Sequence, residues 1–89
     1  MINARTYINR GHAFCNRGRY EQAISAFSEA IKIDPAYAKA YLNKATAYEK
    51  AGHREEAMEA YRAFIQKASR DDPDIQYARY KLRELEELV

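Results

Sequence analysis

Shifted by 34 residues, the chain lies on top of itself. Ala4 falls on Ala38, Tyr7 on Tyr41, Asn9 on Asn43 and Ala13 on Ala47. The register continues through Gly18 and Gly52, Glu21 and Glu55, Ala23 and Ala57, Ala26 and Ala60, and Ile31 and Ile65. Near matches fill the gaps: Gly11 with Ala45, Phe14 with Tyr48, and Phe27 with Tyr61. A fixed period of this size restricts the chain to stacked copies of one supersecondary unit, each burying its apolar face on the next.

The unit reads as two amphipathic helices. Tyr7, Gly11 and Phe14 are spaced four and three apart, one face of a 3.6-residue period, and Gly18 then supplies the left-handed residue that ends a helix. A second stripe of Tyr20, Ala23, Ile24, Phe27, Ala30 and Ile31 runs until Asp34-Pro35. The second unit repeats the plan, with Tyr41, Ala45 and Tyr48, a break at Gly52, then Ala57, Met58, Tyr61, Phe64 and Ile65. Small residues (Gly11, Ala23, Ala45, Ala57) alternate with the rings of Phe14, Phe27, Tyr48 and Tyr61, as helices packed ~8–10 Å apart require. The composition agrees: three Gly, two Pro, and a hydrophobic share of 47% beside 31% charged residues describe a helical chain that folds, not a disordered tail.

Tyr7, Gly11, Phe14, Tyr20, Ala23, Phe27, Ala30 and Pro35, then Tyr41, Ala45, Tyr48, Ala57 and Tyr61, form a pattern that resembles the tetratricopeptide repeat, a helix–turn–helix unit of 34 residues. Phe64 stands where that family has a small residue and Ser69 where it has Pro, so the fourth helix is expected to run on to about Arg70. Asp72-Pro73 then starts a last helix, with Asp as N-cap and Pro as its first residue. Its stripe is Ile75, Ala78, Leu82, Leu85 and Val89, and Phe64 is large because it meets that stripe. The resemblance implies an all-α fold, an α–α superhelix that coils as a right-handed solenoid. Residues 1–89 are read as one domain, with repeats at 4–37 and 38–71 and a capping helix at 72–89.

The resemblance also implies a concave groove lined by the first helix of each repeat, used to bind a peptide segment of a partner protein. The residues turned toward it are Arg5, Ile8, Asn9 and His12 from the first helix, and Lys39, Leu42, Asn43, Thr46 and Lys50 from the third. Tyr77, Tyr80 and Arg83 join them from the last. Asn9 and Asn43 recur at the repeat period; either they grip an extended backbone, to which an amide both donates and accepts, or they are simply solvated. The mild positive excess suits a neutral to acidic segment. One subfamily clamps the C-terminal carboxylate of heat-shock chaperones with Lys, Arg and Asn. Only Asn43 matches that clamp, with Ile8, His12, Pro73 and Tyr77 in the other four places, so such tails are not expected to bind tightly.

Other functions find little to stand on. His12 and Cys15 share a helix face, but no orienting group or oxyanion site accompanies them, so no catalysis is expected. No metal-ligand spacing appears, and no cofactor is expected. The formal charge of +2 is spread along the chain with no basic stripe, which disfavours nucleic acid. No apolar run reaches a membrane span, the N-terminal MINARTYINRG does not read as a signal peptide, and a lone Cys15 fits a reducing cytoplasm. Such arrays usually need about three repeats for stability, so two repeats and a helix should leave a flank near Ile2, Ile8 and Ile24 exposed. That flank makes self-assembly through the repeats the alternative to an adaptor or scaffold role.

Overall fold

The structure, a computed structural model, describes residues 2–88 and contains five α-helices. They are α1 (Ala4–Asn16), α2 (Tyr20–Ile33), α3 (Ala38–Lys50), α4 (Arg54–Lys67) and α5 (Asp74–Glu87), and among the described residues there is no strand. Each helix packs against its neighbour in sequence, α1 on α2, α2 on α3, α3 on α4 and α4 on α5.

Local chemistry sets the helix ends. The Asn3 side chain accepts from the Thr6 backbone N–H at 3.0 Å while the Asn3 N–H reaches the Thr6 hydroxyl, a reciprocal cap that starts α1. Gly18 and Gly52 have φ of 73° and 87°, values that a residue with a Cβ rarely adopts. After each, the chain closes the preceding helix in the same way: Arg19 N–H donates to Phe14 C=O and His53 N–H to Tyr48 C=O, both at 2.9 Å. The two turns are thus copies of one another, 34 residues apart.

The last junction departs from the sequence reading in one respect. The fourth helix stops at Lys67 instead of continuing to Arg70, because Ala68 turns extended (φ −72°, ψ 152°) and Ser69 to Asp72 form a turn closed by Asp72 N–H to Ser69 C=O. Asp72 does cap α5, its carboxylate accepting the Asp74 N–H at 2.9 Å while Pro73 already holds helical angles. Val89, the last residue of the expected stripe, lies outside the described residues.

The core falls into two connected clusters. Ala4, Ile8, Ala23, Ile24, Phe27, Ala30, Ala40 and Ala47 gather between α1, α2 and α3. Ala45, Ala57, Met58, Tyr61, Phe64, Ile75, Ala78 and Leu85 are among those gathered between α3, α4 and α5, and Tyr48 touches both groups. Phe27, Tyr61 and Phe64 are the largest fully buried side chains, and Phe64 meets the α5 stripe as its size implies. Gly11 lies directly under Phe27: a Cβ built there would overlap three ring carbons. Ala45, 0% exposed, takes the corresponding place in the second hairpin, where the ring is Tyr61. The expected exposed flank is smaller than the sequence suggests. Ile8 and Ile24 are buried, since α1 and α2 close on each other, and only Ile2 of the three is exposed.

A side-chain bridge ties the two hairpins together. His53 Nε2 meets Glu21 Oε2 at 2.6 Å, from the start of α4 to the start of α2, with the His53 ring edge-on to Tyr48. The bond to Glu21 raises the His53 pKa above its ordinary value of 6.5, with the Glu21 and Glu56 charges adding to it. A raised folded-state pKa means that the contribution is fully present below the unfolded value and fades as pH climbs through the folded one. His53→Gln should therefore lower the melting temperature at pH 5.5 and leave it nearly unchanged at pH 8.5, as read by circular dichroism melts. Gly11→Leu should cost roughly 1–3 kcal/mol in urea unfolding by forcing Phe27 from its place.

Candidate functional site

On one side of the array the odd-numbered helices meet edge to edge, and most of the expected groove residues lie there. The junction of α1 and α3 is made by His12 and Asn43, whose Nε2 and Nδ2 atoms are 3.5 Å apart. The His12 ring is also held edge-on against Phe27, with centroids 5.6 Å apart, so its position is set by the core of the first hairpin. Asn9 does not pair with Asn43; it is exposed one turn away, as is Arg5. Lys50 is exposed at the far end of α3, its ammonium 5.9 Å from the ring centre of Tyr20.

Ile8 belongs to the core and not to a ligand surface. It is 6% exposed and packed among Ala4, Phe27 and other residues of the first cluster. It sits where the face of α1 turned to α2 passes into the face turned to α3, a boundary that periodicity alone assigns to neither. Leu42, the same position in α3, is half-buried against the second cluster. Thr46 is half-buried too, its hydroxyl donating to the Leu42 carbonyl at 3.2 Å.

The junction of α3 and α5 is built differently, by charge. Lys39 is bonded to the Asp74 carboxylate and lies 3.7 Å from Asp72, so the first turn of α5 neutralises one cation expected in the groove. At the other end of α3, Glu49 accepts from the Tyr61 hydroxyl at 2.8 Å and pairs with Lys81 at 2.7 Å, and Lys81 also holds Glu84 at 2.8 Å. The two carboxylates keep the Lys81 ammonium charged well above its ordinary range. Burial, and then the bond to Glu49, push the Tyr61 phenol far above its usual value. This network escapes sequence reading because its members are spread over three helices.

On α5 the expected contacts remain available. Tyr77 and Tyr80 are 47% and 61% exposed, enough for their rings to meet a partner, and Arg83 is exposed. Tyr77 stands edge-on to Tyr61 and Tyr80 donates to Glu84 at 3.2 Å, which fixes both rings. The open, basic part of this side is consequently the stretch between α1 and α3, with Arg5 and Lys50 around Asn9, His12 and Asn43.

Burial raises the Cys15 thiol pKa, which keeps it protonated, and the His12 ring nitrogen faces Asn43. Among the described residues no three His, Cys, Asp or Glu side chains are grouped to hold an ion, and no helix is long and apolar enough to cross a membrane. Tyr61→Phe should lower stability by about 1 kcal/mol in chemical unfolding, since Glu49 keeps Lys81 but loses a buried donor.

Two family profiles match the chain, one described as TPR repeat over residues 11–52 and one as Tetratricopeptide repeat over residues 39–70. Between them they span both helical hairpins from Gly11 onward. No curated protein matches the chain.

Proposed function

This chain belongs to the tetratricopeptide repeat family, and on that premise we propose that it is a non-enzymatic protein–protein interaction module, an adaptor or scaffold of the cytoplasm. In this reading residues 4–37 and 38–71 are its repeats and the last helix closes a single domain. A peptide segment of a partner, neutral to acidic in character, lies in the concave groove. Its main contacts are Arg5, Asn9 and His12 on α1 and Asn43 and Lys50 on α3, with Tyr77, Tyr80 and Arg83 extending the track along α5. Thr46 and Leu42 form the half-buried floor, while Ile8 acts only from beneath.

The observation that carries this reading is the His12–Asn43 junction, where polar groups from two repeats stand 3.5 Å apart beside cations that no carboxylate of α1 offsets. An amide and an imidazole at that spacing offer a donor and an acceptor to a passing backbone. The helices beneath are fixed by the two core clusters, so a ligand loses its own entropy without any reorganisation of the scaffold. Lys39 is left out of the contact set, being occupied by Asp72 and Asp74.

The test starts from a peptide selected for binding from a display library. Asn43→Ala and Lys50→Glu should each weaken it by roughly tenfold in calorimetry, about 1.4 kcal/mol. Both should leave the melting temperature in place, while Lys39→Met should leave affinity unchanged. If neutralising the acidic residues of that peptide leaves binding intact, the charge preference is wrong.

A further inference from the structure

Among the described residues no helix lies on the side of α1 that faces away from α2 and α3, and the repeat register shows what such a face can hold. In α3, Ala40 and Ala47 are both 0% exposed because α2 lies across them. Their counterparts in α1 are Thr6 and Ala13, and Ala13 is exposed. Beside this face Tyr7, Phe14 and Ala26 line an open depression of roughly 500 Å³ between α1 and α2, with Arg10 and Glu29 at its edge, and its counterpart at Tyr41, Tyr48 and Ala60 also stays open beside α2.

The charge on this face is one-sided. Arg10 and Arg17 share the helical side of Ala13, and the first twenty residues contain no Asp or Glu. Arg10 lies over the Tyr7 ring, 5.2 Å from its centre, which leaves guanidinium donors at the rim. Arg17 holds the place that Ala51 has in the second repeat, where Ala51 packs toward α2. Glu29 is paired with Lys32 at 3.0 Å.

We propose that this face docks an amphipathic helix of a partner protein, laid across α1 as α2 is laid across α3. Branched or small apolar residues of that helix meet Ala13, Tyr7 and Phe14, and its carboxylates meet Arg10 and Arg17, a guanidinium being the cation best shaped to hold a carboxylate. A second copy of this chain fits less well. Two α1 faces brought together would set Arg10 and Arg17 against themselves. The site is separate from the groove, so the two can fail independently.

The probe is a hydrocarbon-stapled peptide with the sequence of residues 19–34, the helix that covers the equivalent face of α3. Added to the labelled full chain, it should shift the amide signals of Thr6, Arg10, Ala13 and Arg17. Binding should fall at least tenfold in Ala13→Arg and in the Arg10→Glu, Arg17→Glu double variant, positions exposed enough to leave the fold intact, and should persist in Asn43→Ala. No shifts at millimolar peptide, shifts centred on Asn9 and Asn43, or equal affinity for all variants would overturn the proposal. So would a concentration-dependent mass of the protein alone that Ala13→Arg abolishes, since the face would then belong to a second copy.

Discussion

The structure depends on how closely two helices can approach within one hairpin. A large ring from the second helix lies against a residue with little or no side chain on the first: Phe27 over Gly11, and Tyr61 with Ala45 one period later. Each ring is fully buried, and each hairpin is closed by a glycine with positive φ and the same pair of backbone hydrogen bonds. Because the contact recurs at the repeat period, the second hairpin is set against the first with its odd helix beside the earlier odd helix. That order brings His12 to Asn43. The side on which these two residues meet is a consequence of the packing and not a separate feature added to it.

The last helix does more than cover the second hairpin. Its apolar stripe completes the second core cluster, but its polar residues bind α3 at both ends, Asp72 and Asp74 to Lys39 and Lys81 to Glu49. The Lys39–Asp74 pair is exposed enough to add little stability by itself, whereas Lys81 and Glu49 are largely shielded. Their effect is directional: they fix α5 in rotation and remove Lys39 from the open surface. Positive charge is thereby concentrated toward α1, which has no carboxylate of its own. The neutral and basic halves of one face thus follow from where the closing helix places its acids.

Most of the fold was legible in the sequence, for a physical reason. Repeat period, helical periodicity and glycine punctuation are local properties, and each specifies the same hairpin. The end of the fourth helix was misread, since nothing in the composition of Ala68 and Ser69 marks the extended residue that the Asp72 cap then requires. The groove was less legible. Ile8 lies between two helix faces, so its burial depends on α2 and α3 together. Lys39 read as a free cation because its partners are more than thirty residues away. Ile8 and Lys39 both take their surroundings from other helices, which the period of their own helix does not report.

The most direct measurement is a set of intermolecular nuclear Overhauser contacts between the labelled chain and an acidic peptide selected to bind it. The account predicts contacts from the peptide backbone to His12 and Asn43, with further ones to Lys50 and the Tyr77 ring. Contacts confined to the even-numbered helices, along Gln22, Ser25, Glu56 and Glu59, would contradict it, because the ligand would then lie on the side of the array opposite the odd-helix junction.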